Sequence, residues 1–208
     1  MEAGTQLPSD DLLFEKSLDT DGVLIKSSTP RLQIKSYDPS DYKNSFSMYT
    51  CPILTRYFDH GKPRTKPEVD TFISKRGTYY FNKGTPFGLF SVFLKENNAF
   101  IGQVDLVPTG KPGEVEIGWI FKKDYQNFGF CSEVITFFLM PFIQNLIREE
   151  VQSSGVVINR VIATAHPENK ASARIILKAG LTFFKKELRY EGNPRNWYEL
   201  NLESSNKK

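Results

Sequence analysis

Glu116 is a carboxylate set in a run, Glu114-Val115-Glu116-Ile117-Gly118-Trp119-Ile120-Phe121, that alternates with the period of a strand. Val115, Ile117, Trp119 and Phe121 share one face; Glu116, Gly118 and Ile120 share the other, with Glu114 nearer the start. The second face therefore pairs a proton-accepting group with a glycine, a residue that lets another group approach the backbone closely. A few residues on, Gln126-Asn127-Phe128-Gly129-Phe130-Cys131-Ser132 puts glycine and small residues where an apolar helix begins. The first N–H groups of a helix lack internal partners and carry the positive end of its dipole, so such a turn suits an anion such as a diphosphate. A plain structural turn fits the same residues. His166 ends a later apolar run, where a lone histidine serves structure or proton transfer. Cys51 and Cys131 lie in unrelated contexts that suggest neither a metal framework nor a disulfide, and neither has the partner a nucleophilic thiol needs.

These groups need a scaffold, and the hydrophobic pattern predicts one. Residues 1–29 read as a polar, acidic arm ending in a short strand that pairs with the domain. Residues 30–203 read as one domain and 204–208 as a frayed tail. Arg31–Tyr37 is the first core strand, and Asp38-Pro39 starts a helix. Pro67-Glu68 opens another helix, running to Arg76 with Val69, Phe72 and Ile73 on one side. Pro86–Leu94 and Ala99–Val107 form a hairpin across Lys95-Glu96-Asn97-Asn98. The helix from Gly129 is apolar over most of its girth, which predicts deep burial, and Pro141 predicts a kink. Arg160–Ala165 is a central strand. Pro167-Glu168-Asn169 leads into a helix with Ala171, Ile175, Ile176 and Ala179 inward, stopped by Gly180. Leu181–Tyr190 and Trp197–Leu202 close the chain as a strand pair around Glu191-Gly192-Asn193-Pro194.

Composition bounds the function. A chain of 208 residues with 39% hydrophobic and 13% aromatic residues supports one packed core. A net charge of +3 makes no electrostatic case for nucleic acid. Six acids against two lysines in the first 29 residues leave the remainder mildly basic, compatible with a phosphorylated ligand. No secretory signal is read at Met1-Glu2-Ala3-Gly4, and the greasy run Val134–Ile143 falls short of the roughly 20 residues that cross a bilayer, so a cytoplasmic protein without a membrane partner is expected. A dinucleotide site would need Gly-x-Gly-x-x-Gly after the first strand, which is missing.

The order of strand, glycine turn, helix, strand, Pro-Glu-Asn, helix, glycine and strand resembles the GCN5-related N-acetyltransferase (GNAT) superfamily, most closely its RimJ/RimL-like branch, which acetylates the N-terminal amines of ribosomal proteins. Gln126, Gly129 and Cys131 match the family's Arg/Gln-x-x-Gly-x-Gly/Ala loop, with cysteine at the last position. Glu116-Ile117-Gly118-Trp119 matches the end of its fourth strand. Pro167-Glu168-Asn169, Ser172 and Lys178-Ala179-Gly180-Leu181 match a later helix. The likeness covers Pro30 to Leu202 and implies an α/β (α+β) fold. Its mixed, mostly antiparallel sheet would have about seven strands, flanked by about four helices, with a splay between the family's fourth and fifth strands.

The resemblance implies acetyl-CoA as cofactor, with its diphosphate on the main-chain donors of Phe128, Gly129, Phe130, Cys131 and Ser132, beside Gln126 and Asn127. The pantetheine arm would run beside Trp119, Ile120 and Phe121, and Asn169 would bond its amides, cap its helix, or do both. The acceptor is an amine, and Glu116 is the expected base, through a water, with Glu114 and His166 the weaker choices. Ile176 stands where many members carry a tyrosine acid, so the resemblance points instead to Ser172 as proton donor to the leaving thiolate; both residues also fit plain structural roles. The acceptor pocket is expected from Tyr57–Thr65, the helix after Pro67, Tyr79-Tyr80-Phe81 and Arg189–Trp197, with Arg56, Lys62, Arg64 and Lys66 nearby. A monomer or homodimer fits. A small-molecule amine acetyltransferase and a non-catalytic acyl-CoA-binding module are the alternatives.

Overall fold

The computed structural model describes residues 14–19, 22–78 and 84–202. Eleven strands are present among them: β1 (Phe14–Asp19), β2 (Gly22–Ser28), β3 (Leu32–Ser36), β4 (Gly88–Leu94), β5 (Phe100–Pro108), β6 (Glu114–Phe121), β7 (Gln152–Ser153), β8 (Val156–Val157), β9 (Arg160–Ala165), β10 (Thr182–Arg189) and β11 (Asn193–Asn201). Nine of them form one sheet in the order β1-β2-β3-β4-β5-β6-β9-β11-β10. The helices are α1 (Tyr42–Tyr49), α2 (Pro52–Thr55), α3 (Lys66–Ile73), α4 (Phe130–Arg148) and α5 (Lys170–Lys178). The fold is the mixed, mostly antiparallel α/β arrangement expected. The N-terminal arm adds two strands to the family's sheet, one of them expected: its β1–β2 hairpin joins through β2–β3 pairing and brings Ile25 into the core.

Alternation in β6 works on both faces because both are covered. Val115, Ile117 and Phe121 join a core with α4 and Ile176 of α5. Ile120, on the opposite face, packs with Tyr37, Met48 and Tyr49 and with Val69, Phe72 and Ile73 of α3. Fully buried phenylalanines anchor the first core: the Phe90 ring lies 5.2 Å from Phe138 and 5.7 Å from Phe142. Each such ring contributes about 1.5–3 kcal/mol by leaving water.

Several expectations change in detail. Just before Pro141, α4 widens into a π-helical stretch over Ile135–Leu139, where the Met140 N–H donates to the Ile135 carbonyl. A proline has no N–H to continue the ordinary ladder, and the wider turn just before it absorbs the mismatch. α4 is also longer than the greasy run suggests. Its 19 residues are long and apolar enough to cross a membrane by length and composition, yet Val134, Ile135, Phe138, Leu139, Phe142, Ile143 and Leu146 spend that apolar face on the sheet. Burial is not all round, since Phe137 remains 42% exposed. On α5 only Ile176 is fully buried, and Ala171 is exposed rather than inward. Pro194 lies inside β11, not in the turn before it. It pairs with Leu188 of β10 beyond the stretch that pairs with β9, so the N–H it lacks is not needed there.

Candidate active site

β6 and β9 run parallel, and their pairing stops early. Glu114, Val115 and Glu116 face Arg160, Val161 and Ile162, after which β6 continues to Phe121 paired only with β5, and β9 pairs only with β11. Every other pair of neighbours in the sheet is antiparallel among the described residues. The peptide groups of Gly118–Phe121 that point away from β5 thus border a gap, the splay the family resemblance implies. A cleft of about 1000 Å³ opens there, lined by Gly118–Phe121, the start of α4, Asn169 and Ser172 of the α5 end, and the Arg56–Asp59 segment.

At one end of the cleft the chain turns into α4 through Asn127 at φ 69° and Gly129 at φ 80°, left-handed backbone that glycine adopts without strain. The first main-chain bond of α4 runs from Glu133 N–H to Gly129 O, 2.9 Å, so the donors of the preceding turn have no helical partner. Gln126 lines the cleft, and its Nε2 donates to the Phe121 carbonyl at 3.0 Å, bracing the turn on β6. Phe128, by contrast, does not line the cleft. It is 61% exposed, with its ring 5.8 Å from that of Phe130. Burial pushes the Cys131 thiol far up, which removes it as a nucleophile.

Arg31 and Glu133 hold this turn and were not singled out from the sequence. Arg31 donates from Nη1 to the Phe128 carbonyl at 3.1 Å and from Nε to Glu133 at 2.6 Å, with its guanidinium 4.4 Å from the Phe130 ring centre. Glu133 also accepts from the Thr29 hydroxyl and the Arg31 N–H, at 2.6 and 2.8 Å. Burial alone would push the Glu133 carboxyl up, but these donors outweigh it and hold the group below its ordinary 4.5. A carboxyl lowered on folding contributes its full stability above the ordinary value and loses it as pH falls through the lower folded one. We expect Glu133→Gln to lower stability by about 1–2 kcal/mol at pH 7 and to flatten the acid limb of urea-unfolding curves measured from pH 7 to 3.

At the other end lie the groups that face the acceptor. Glu116 is 8% exposed and lines the cleft, as expected. Arg189, which the sequence did not place beside it, reaches Oε1 and Oε2 from Nη1 and Nη2 at 2.6 and 2.9 Å in a bidentate pair. Glu114 is held by Arg160 and Thr109 at the closed end of the splay, outside the cleft. His166 is also outside it. Its ring stacks on Tyr57 with centroids 5.1 Å apart, Nδ1 accepts from the Glu168 N–H at 3.2 Å, and burial lowers its pKa, so it is neutral near pH 7. Asn169 Oδ1 caps α5 by accepting from the Ser172 N–H at 3.1 Å, which leaves its amide nitrogen for the cleft.

Of the expected acceptor pocket, Tyr57, Phe58, Asp59, Tyr190 and Arg195 line the cleft, while Lys62, Arg64 and Lys66 do not. Tyr79-Tyr80-Phe81 lie outside the described residues. Arg195 is buried and donates to the carbonyls of Tyr57 and Asp59 at 2.8 and 2.5 Å, pinning that segment against β11. Two further lining residues, Asp105 and Arg76, form an ion pair. Asp105 was not singled out from the sequence; the signal available was a lone carboxylate in a strand whose other polar side chain is Gln103.

A sheet that parts beside a glycine turn at a helix start is the arrangement that the resemblance to the GNAT superfamily implies. A family model for the acetyltransferase (GNAT) domain matches residues 31–182, and the chain belongs to that family of N-acyltransferases. A Bacillus subtilis (strain 168) protein described as the uncharacterized N-acetyltransferase YnaD is 28% identical over 162 residues, 76% of this chain and 85% of its own. Among solved structures, a GNAT-family acetyltransferase from Bacillus anthracis superposes with a TM-score of 0.64 at 21% identity, covering 85% of this chain and 98% of its own. RimL, a ribosomal L7/L12 alpha-N-protein acetyltransferase in complex with coenzyme A, superposes at 0.63 and 15% identity, covering 85% and 97%. At these identities the solved structures share the fold.

Proposed function

We propose that the protein moves an acetyl group from acetyl-CoA to a primary amine, the N-terminal amine of a protein being the favoured acceptor, by direct attack with both substrates bound. The observation that carries this reading is the pairing of parted strands with a donor-rich glycine turn. The unpaired edge of β6 is a partner for an arm bearing amides, and the turn is a partner for its phosphates. Acetyl-CoA supplies the activated thioester carbonyl. Around it, the N–H groups of Phe128–Ser132 hold the diphosphate, the peptides of Trp119–Phe121 and the Asn169 amide align the arm, and the Ser172 hydroxyl donates a proton to the departing sulfur. RimL, an alpha-N-protein acetyltransferase in complex with coenzyme A, supports the same acceptor class.

An α-amine suits this cleft on energetic grounds. With pKa near 8, it costs only about 1.4 kcal/mol to deprotonate at pH 7, against about 4–5 kcal/mol for a lysine amine near 10.4. A covalent relay is not needed, and Cys131, whose thiol is pushed far up, offers none. Glu116, gripped by Arg189, contributes fixed negative charge beneath the amine. We expect Glu116→Gln to lower turnover about tenfold with acetyl-CoA affinity unchanged; unaltered turnover would remove Glu116 from the site.

The reading is tested by melting the protein with acetyl-CoA and then following thiol release across short peptides, lysine derivatives and small amines. Acetyl-CoA at 100 times its Kd stabilises by about 2.7 kcal/mol, a rise of roughly 5–10 °C in Tm for a chain of this size. No rise with any acyl-CoA would overturn the proposal. Faster turnover of small amines than of peptides would move the acceptor to a metabolite.

A further inference from the structure

Asp105 sits on β5, flanked by Val104 and Leu106, and is only 6% exposed, yet it lines the cleft. Its register partner across the sheet is Gly118. A side chain at Gly118 would collide with Asp105 Oδ1, so the carboxylate lies in the space that the glycine leaves open, directly above the β6 segment that borders the splay. Oδ2 accepts from Arg76 Nη1; among the described residues Oδ1 has no hydrogen bond. Glu116, by contrast, has both oxygens on Arg189. We propose that Asp105 is the group that takes the proton from the acceptor amine, a role that rests on the acetyl-transfer reading above.

The surroundings suit that task. Arg76 follows α3, Glu116 with its Arg189 lies diagonally across β6, Asp59 approaches from the segment after α2, and the buried Tyr49 of α1 faces the same region. Burial pushes the Asp105 carboxyl above its ordinary 3.8, Glu116 adds to the shift, and Arg76 opposes it. The step balances as follows. The ammonium of the acceptor gives one proton to Asp105 and becomes a neutral amine. The nitrogen lone pair then forms the N–C bond to the acetyl carbon, the C–S bond breaks, and the sulfur keeps that electron pair. The second proton lost by nitrogen is matched by the one the sulfur gains, and Asp105 returns its own to solvent.

Asp105→Asn keeps the shape and one acceptor for Arg76, so it separates proton transfer from scaffolding. With the peptide Ala-Phe-Gly-amide as acceptor, kcat/KM at pH 7 is expected to fall about 10²–10⁴-fold. The deficit should narrow as pH rises past the amine's pKa of about 8, while acetyl-CoA affinity by calorimetry is unchanged. In the wild-type chain, the assigned carboxyl ¹³C resonance of Asp105 should titrate above ordinary aspartate and move down in Glu116→Gln, a readout that needs neither turnover nor a folded Asn variant. A deficit independent of pH, no deficit, or an ordinary titration overturns the proposal. A wild-type chain that binds no acetyl-CoA and acetylates no amine overturns the parent reading, and this one with it.

Discussion

Gly129→Glu is expected to raise the Kd for acetyl-CoA at least about 100-fold, the equivalent of about 2.7 kcal/mol. Two terms act together. Gly129 holds φ at 80°, where a residue with a Cβ costs about 1–2 kcal/mol. A carboxylate placed at the helix start would also meet the diphosphate, and two like charges 4 Å apart repel by about 4 kcal/mol at an effective dielectric of 20. Gly129→Ala separates the terms, since it carries the backbone strain without the charge, and should weaken binding about tenfold. The position of a Cβ at Gly129 lies 3.6 Å from Arg31 Nη2, so the new glutamate also competes with Glu133 for that guanidinium. Titration of both variants with acetyl-CoA, followed through calorimetry, decides the matter. Equal affinity for wild type and Gly129→Glu would show that the phosphates bind elsewhere.

Much of this scaffold was legible because local chemistry and long-range packing agree. The Arg160–Ala165 strand lies where its β-branched, apolar run predicts, and the glycine turn opens α4 as its small residues suggest. The misses share a cause: they depend on partners remote in sequence. Glu116 reads as a free carboxylate on its own strand because Arg189, 73 residues later, is invisible to strand periodicity. Glu133 reads as an ordinary first-turn acid, yet its partners lie more than 100 residues earlier, at Thr29 and Arg31. The arm's contribution to the sheet was half visible, since a strand was expected there but its hairpin mate, β1, carries no clear alternation. Asp105 is the instructive case. A lone acid in an apolar strand costs several kcal/mol to bury without a partner, so its presence announces a pair or a task, although the sequence does not say which arginine answers it.

Gly118→Ala should be the most informative single methyl group in the molecule. Gly118 has extended backbone, so the substitution brings no conformational strain, only volume. That volume falls on Asp105 Oδ1, and the aspartate is a short side chain tied to Arg76 that cannot swing far. Overpacking of this kind costs about 1–3 kcal/mol. The larger consequence is positional: a displacement of about 1 Å at a reacting group costs on the order of 10² in rate. We therefore expect kcat to fall about 100-fold, with a modest loss of stability and acetyl-CoA affinity within a few-fold of wild type. Gly102→Ala is the matched control, because its Cβ would press on the Ile120 carbonyl at 2.6 Å and the Phe121 ring at 2.8 Å but on no carboxylate. It should cost stability without altering the pH dependence. If Gly118→Ala acts through Asp105, the two changes cannot add, and in an Asp105→Asn background the extra methyl should lower kcat by no more than a few-fold. Full additivity in that cycle would mean that the glycine serves the bound thioester arm directly, and the carboxylate above it would lose its strongest geometric support.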